Sequence, residues 1–139
     1  MRYINISEHG GPEVMEIKEG EAPDPGKSEV LIKVHAAGVN RPDVMQRQGL
    51  YPPLPSASPI LGLEVAGEVV ATSNDASAWS VSDRVCALTN GGGYVEYVAV
   101  PAGQCLPVPA GLPMEEAAAL PETLYSINPI VSEANSVHH

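Results

Sequence analysis

Phenylalanine is missing from this chain of 139 residues, which contains one tryptophan and two cysteines. Cys86 and Cys105 are too few for a disulfide scaffold, although a single bridge between them stays open from the sequence. Long apolar runs are also missing: none approaches the roughly 18 residues that a transmembrane helix needs. We expect no signal peptide, because Arg2–Ile6 has the pattern of a strand and Glu8 follows at once. We therefore expect a cytoplasmic protein with no membrane-spanning segment and no membrane partner.

Basic residues are scarce: seven Lys and Arg stand against seventeen Asp and Glu, for a formal net charge of −10. Arg84 is the only basic residue after residue 47. Such a chain repels phosphate backbones, so we expect no nucleic-acid partner. Hydrophobic residues make up 44% and charged residues 17%, which is a globular balance and argues against disorder.

Glycine and proline are abundant, at 13 and 14 residues, and they favour many turns and short strands. Apolar alternation places Val30, Ile32 and Val34 on one face of the clearest strand. Pro42 fits the first turn of a short helix, and four prolines keep the loop 49–59 out of any sheet interior. The predicted strands cover 1–6, 14–18, 29–37, 62–70, 84–88 and 94–100, and the predicted helices cover 42–48 and 113–120. This pattern predicts a mostly β protein with short helices, folded as a compact antiparallel barrel.

Motifs for common chemistries are weak or absent. The four histidines, at positions 9, 35, 138 and 139, show no zinc-site spacing with each other or with the cysteines. No Gly-x-Ser-x-Gly elbow occurs. Gly91–Gly93 precedes a strand instead of a helix and lacks the phosphate-loop patterns, so we interpret it as a hairpin turn. No dinucleotide fingerprint is present, and the chain therefore shows no Rossmann unit.

Five motifs nevertheless resemble one family, in its order and spacing, from residue 1 to about residue 123. They are AAGVNRPDVMQRQGLYPP (36–53), ILGLEVAGEV (60–69), DRV (83–85), GGYVEY (92–97) and EEAAALPET (115–123). Together they resemble the zinc-free quinone oxidoreductases of the medium-chain dehydrogenase/reductase superfamily. The MQRQG segment resembles in particular the branch that includes the p53-inducible quinone reductase.

The resemblance implies a GroES-like barrel, like the N-terminal domain of alcohol dehydrogenases. This barrel is the substrate-side domain of a two-domain, NADPH-dependent reductase. Zinc-dependent relatives have a cysteine where this chain has Asn40 and a histidine where it has Leu63. Neither replacement is a strong zinc ligand, so we expect no metal. A quinone is electrophilic enough to accept hydride through orientation alone, without zinc.

The resemblance also assigns site residues. Asn40 and Tyr51 are expected to act in catalysis by lining the cleft for a quinone or a conjugated carbonyl. The cofactor NADPH is expected near Asn40, Asp43, Gln46 and Thr123. Glu64 is expected to have a structural role and not to donate a proton.

The chain departs from the family pattern at its end and in two turns. Residues 1–123 match the substrate-side domain, whereas 124–139 form an atypical tail where the family continues into its Rossmann domain. An internal deletion, a frameshift or a truncated gene would each account for that junction. In the turns, Ser82 replaces a glycine of the family and Thr72-Ser73 replaces a Val-Gly pair, which predicts strained or rebuilt backbone there.

Three functions stay open on the sequence alone. The first is an NADPH-dependent quinone oxidoreductase, for which this chain supplies the substrate-side domain and is expected to be inactive by itself. The second is a non-enzymatic binding or oligomerisation module derived from that domain. The third is the same domain of an enoyl or alkenal reductase. A barrel without its partner domain is expected to expose an apolar patch and to self-associate as a homo-oligomer.

Overall fold

The computed structural model describes residues 1–50, 52, 58–76, 78–89 and 91–121. Tyr51, Thr123 and the tail 124–139 lie outside the described residues, so the expectations for them stay predictions. Within the described ranges the strands are β1 (Arg2–Ile6), β2 (Met15–Glu19), β3 (Glu29–Ala37), β4 (Glu64–Thr72), β5 (Arg84–Leu88), β6 (Tyr97–Pro101) and β7 (Cys105–Pro107). The α-helices are α1 (Arg41–Arg47) and α2 (Met114–Ala117).

The strands form two antiparallel sheets. β1 and β2 pair as a hairpin, and the larger sheet has the order β6-β3-β4-β5-β7. A bridge between Tyr3 and Val95 joins the hairpin to the segment before β6, where the Ile4 N–H donates to the Tyr94 carbonyl oxygen at 2.9 Å. The predicted mostly β, antiparallel fold with short helices is confirmed.

The core occupies both faces of the five-stranded sheet. One face buries an aliphatic cluster: Val30, Ile32, Val65, Val69, Ala76, Val85, Ala87, Val100 and Cys105. The other face packs Ala66 and Cys86 against Ala117 and Ala118 around α2. In β3 the predicted alternation is confirmed, because Val30 and Ile32 are buried whereas Lys33 and His35 are exposed.

The strand register settles the question of a disulfide. Cys105 pairs with Ala87, and Cys86 pairs with Leu106, so the two cysteines point to opposite faces of the sheet. Both are free and buried. Burial raises the pKa of the Cys86 thiol to about 11 and that of Cys105 to about 12. Both thiols are therefore protonated at neutral pH and serve as small apolar core residues.

Some boundaries differ from the sequence expectations. β6 begins at Tyr97 because Tyr94–Glu96 run along β1 before the strand joins β3. The three-residue strand β7 was not predicted, since only its pairing with β5 defines it. Across the part of the chain that the structure describes, no helix is long and apolar enough to span a bilayer.

Of the two turns that lack the family's glycine, the one at Ser82 is strained, as predicted. Ser82 has φ +82°, in the left-handed region that disfavours a side chain, and its N–H donates to the Val69 carbonyl oxygen at 2.8 Å. The hydrogen bond fixes the backbone in the strained conformation. Thr72 and Ser73 do not have positive φ, so that turn is rebuilt without strain.

Replacing Ser82 by glycine should therefore stabilise the fold. Removing a strain of about 1–2 kcal/mol, partly offset by the greater freedom of glycine in the unfolded chain, leaves a gain of about 0.5–1 kcal/mol. Urea unfolding followed by Trp79 fluorescence measures it. Ser80→Gly is the matched control, since Ser80 lacks positive φ. It should lower the free energy of unfolding by about 0.5–1 kcal/mol, because glycine adds freedom to the unfolded chain and relieves no strain. Equal losses of stability in both variants would contradict the strain at Ser82.

Candidate functional site

The junction between β3 and α1 places Asn40 at the start of the helix. Asn40 is extended, with φ −123° and ψ 158°, and Pro42 occupies the first helical turn, where a missing N–H costs nothing. The Asn40 N–H donates to Asp43 Oδ2 at 2.9 Å, as in the second half of a capping box. This bond fixes the direction in which the chain enters α1.

Asp43 is a buried carboxylate, 2% exposed, that joins three segments. Its Oδ2 accepts from the Asn40 N–H and from the Tyr94 hydroxyl, at 2.9 and 3.1 Å. Its Oδ1 accepts from the Gly62 N–H at 3.2 Å, just before β4. Hydrogen bonds to a carboxylate are stronger than neutral ones, so Asp43 fastens α1 to both neighbouring segments.

Tyr94, which follows the glycine-rich turn 91–93, donates its hydroxyl hydrogen to Asp43. Burial raises the pKa of its hydroxyl well above the ordinary value, and the negative charges of Asp43 and Glu64 raise it further. The hydroxyl therefore stays protonated at every physiological pH and remains a donor to Asp43.

The Asn40 side chain makes a separate contact on the other side of the junction. Its Nδ2–H donates to Glu64 Oε1 at 2.9 Å. Glu64 opens β4 and is 2% exposed, whereas Asn40 is half-buried. Asn40 is thus held through its backbone by Asp43 and through its amide by Glu64.

Gln46 lies at the opposite end of α1. It is buried, and its Nε2–H donates to the Pro59 carbonyl oxygen at 3.2 Å, which fastens the last residue of the proline-rich loop to the helix. Of the predicted site residues, the structure therefore brings Asn40, Asp43 and Glu64 together and places Gln46 apart from them. The described contacts of Asp43 and Gln46 are internal, and their assignment to the cofactor stays a prediction.

Tyr94 and Gly62 are the site residues that the sequence reasoning missed. Gly62 has φ +110°, and a Cβ there would lie 2.7 Å from the Cα of Gly93. The two backbones approach so closely that only glycine fits. Gly62 and the glycine triplet before Tyr94 were the available signal, because such residues mark close backbone contacts.

An apolar groove of about 590 Å³ lies beside the junction. Its walls include Val39 and Tyr94 together with Met15 and Ile17 from β2. Val39 is 76% exposed and Ile17 is 66% exposed, so the groove is open to ligands. Asn40 follows Val39 in the chain, although it is not itself among the residues that line the groove.

The residues at this junction do not fit a zinc ion. Leu63 offers no donor atom, and the amide nitrogen of Asn40 is directed at Glu64. No group of three or more His, Cys, Asp or Glu side chains within the described ranges could hold a metal.

Comparison with known proteins shows which family has this fold. The alcohol dehydrogenase GroES-like domain family matches residues 26–110. The quinone oxidoreductase of Rattus norvegicus is 38% identical over 122 residues, which cover 86% of this chain and 37% of the relative. The synaptic vesicle membrane protein VAT-1 homolog of Rattus norvegicus is also 38% identical over 122 residues, which cover 86% of this chain and 30% of the relative. The Escherichia coli quinone oxidoreductase complexed with NADPH superposes with a TM-score of 0.78 at 33% identity, over 86% of this chain and 37% of that one.

The chain belongs to the alcohol dehydrogenase GroES-like domain family. Within the medium-chain dehydrogenase/reductase superfamily it is a relative of proteins named quinone oxidoreductase and VAT-1, which confirms the predicted resemblance. It spans about a third of the length of these two relatives.

Loss of the Asp43 charge should destabilise the fold. Asp43→Asn keeps the shape but turns an N–H₂ group towards at least one of the three donors, which should cost about 2–4 kcal/mol. Tyr94→Phe removes one donor and should cost about 1–2 kcal/mol. Urea unfolding measures both, with the exposed Asp24→Asn as the control near zero. An Asp43→Asn variant as stable as the control would contradict the joining role of Asp43.

Proposed function

We propose that this barrel is the substrate-side domain of an NADPH-dependent quinone oxidoreductase, and that a quinone binds in the groove with one carbonyl oxygen against Asn40. Two observations carry the proposal: the Asn40 amide is held by Glu64, and the preceding residue, Val39, lines the apolar groove together with Tyr94. The named quinone oxidoreductase relatives support the reaction class.

The groove and the amide suit the two halves of a quinone. The ring is flat and apolar, so its transfer from water into the groove is favourable. The carbonyl oxygen accepts hydrogen bonds, and the Asn40 amide nitrogen carries two hydrogens, of which the bond to Glu64 uses one. The other N–H is the donor that we assign to the ligand.

This donor would assist the reaction and not only the binding. NADPH, when bound to a reductase of this kind, supplies the hydride. As the ring accepts it, negative charge grows on the carbonyl oxygen, and a fixed N–H donor stabilises that charge more than the neutral ground state. Asn40 is therefore the residue for which we propose direct contact with the reacting group, with Tyr51 as its predicted companion.

The remaining predicted residues have supporting parts in this proposal. Asp43 holds the Asn40 backbone, and Gln46 holds the end of the proline-rich loop that contains Tyr51. The nearness of Asp43, Gln46 and Thr123 to a bound cofactor stays a prediction. A conjugated enone would offer the same carbonyl oxygen, so the acceptor class is decided by experiment.

Duroquinone, a fully methylated quinone, is the probe for binding. A titration followed by ¹⁵N–¹H correlation spectra should shift the amides of Val39, Asn40 and Tyr94. Asn40→Ala should weaken the Kd about tenfold, the value of one hydrogen bond of about 1.4 kcal/mol. Asn74→Ala, at an exposed asparagine, should leave the Kd unchanged.

Cyclohexenone, titrated in parallel, distinguishes the acceptor class. If only the enone shifts the groove amides, the acceptor is an enone and not a quinone. If neither probe binds, or if both asparagine variants bind like the wild type, the proposed site is wrong.

The 139-residue chain by itself should not oxidise NADPH with duroquinone above the rate without protein. The pyrophosphate of NADPH needs the amides of a glycine loop at a helix N-terminus, and the chain has no Gly-x-Gly-x-x-Gly fingerprint. The loss of NADPH absorbance with time measures the rate. If the wild-type chain oxidised NADPH and the Asn40→Ala variant did not, this expectation would be contradicted. The chain would then have a cofactor site of another kind.

A further inference from the structure

Because Gly38 has no side chain, the Glu64 side chain can lie against its backbone. A Cβ at residue 38 would lie 2.6 Å from both Cγ and Cδ of Glu64, and closer still to Oε1. Gly38 does not have positive φ, so no backbone conformation demands a glycine here. The side chain of Glu64 is the reason that residue 38 must be small.

The backbone fixes the same pair of residues. The Gly38 N–H donates to the Glu64 carbonyl oxygen at 3.1 Å, directly after the register pair of Ala37 with Val65. The start of β4 is thereby held against the end of β3. The Glu64 carboxylate has little freedom, because the Gly38 N–H holds the Glu64 backbone and the Glu64 side chain fills the space that a Cβ of residue 38 would occupy.

Glu64 in turn determines how the Asn40 amide is oriented. The amide has an N–H₂ end and a carbonyl end, and the N–H₂ end faces Glu64 Oε1 at 2.9 Å. Turning the amide over would bring two acceptor oxygens together. Because Glu64 is only 2% exposed, water does not readily replace its contact with Asn40.

We propose that Glu64, seated in the space above Gly38, is a positioning residue that orients the Asn40 amide so that its second N–H is available to a ligand carbonyl oxygen. The ligand part rests on the proposed function, whereas the orientation of the amide does not. Glu64 acts through Asn40 and not on the ligand itself.

The orientation is tested first in the ligand-free chain. Glu64→Leu removes the acceptor, and Gly38→Ala displaces it without changing Glu64 itself. Both should speed hydrogen exchange of the Asn40 side-chain amide about tenfold, which corresponds to the loss of about 1.4 kcal/mol of protection. Glu64→Gln retains an acceptor oxygen and should stay within about threefold of the wild type.

The control lies four residues along the same strand. Glu68 is half-buried and approaches His35 at 3.9 Å, so Glu68→Gln changes the same functional group away from Asn40. It should alter neither the exchange of the Asn40 amide nor the Kd for duroquinone. If Glu64→Leu does not fold, Gly38→Ala and Glu64→Gln still provide the loss and the rescue.

Duroquinone binding is the second measurement. Gly38→Ala and Glu64→Leu should weaken the Kd about tenfold, with Glu64→Gln within about threefold of the wild type. If Glu64 had a purely structural role, Gly38→Ala and Glu64→Leu would lower the urea midpoint but leave the exchange rate of the Asn40 side-chain amide in the folded chain unchanged. That result would overturn the proposal. Faster exchange with an unchanged Kd would overturn its ligand part.

Failure of the proposed function gives a different result. If the wild-type chain does not bind duroquinone, the quinone site is wrong. The ligand-free exchange rates then still decide whether Glu64 orients Asn40.

Discussion

The carboxylate of Asp43 is the interaction on which the site depends. A buried carboxylate is costly unless its oxygens receive hydrogen bonds, and Asp43 receives three from three separate segments. The Asn40 N–H fixes the entry into α1, the Gly62 N–H fixes the approach to β4, and the Tyr94 hydroxyl fixes the glycine-rich turn. Because one carboxylate receives all three hydrogen bonds, displacement of any of these segments would leave a buried charge with fewer donors.

Asn40 acquires its geometry from two carboxylates that serve different atoms. Asp43 holds its backbone, and Glu64 holds its amide, so both the position and the rotation of the amide are determined. A half-buried asparagine at the start of a seven-residue helix would otherwise exchange between rotamers and lose its directionality. The two contacts fix a polar group that lies on a short connection and not within a long helix or strand.

Local features were predicted well from the sequence, because their causes lie within a few residues. The alternation in β3 places Val30 and Ile32 in the core, and Pro42 lies in the first turn of α1 as predicted, whereas the expectation at Ser82 came from the family resemblance. Long-range features were not predicted. Tyr94 and Asp43 are 51 residues apart, and no local pattern indicates that they meet. The strand register alone shows that Cys86 and Cys105 face opposite ways.

The charges around the junction also bear on the kind of ligand that suits it. Asp43 and Glu64 both raise the pKa of Tyr94, whereas Arg47 lowers it, so charges of both signs act on this wall of the groove. The chain's formal net charge of −10 disfavours an anionic ligand as it approaches from solution. A neutral ring with carbonyl acceptors, of the kind that we propose, escapes this repulsion. In the proposed reaction, however, the carbonyl oxygen gains negative charge near two carboxylates. The Asn40 donor is therefore needed most at that point, because a fixed N–H offsets a charge that the neighbouring carboxylates disfavour.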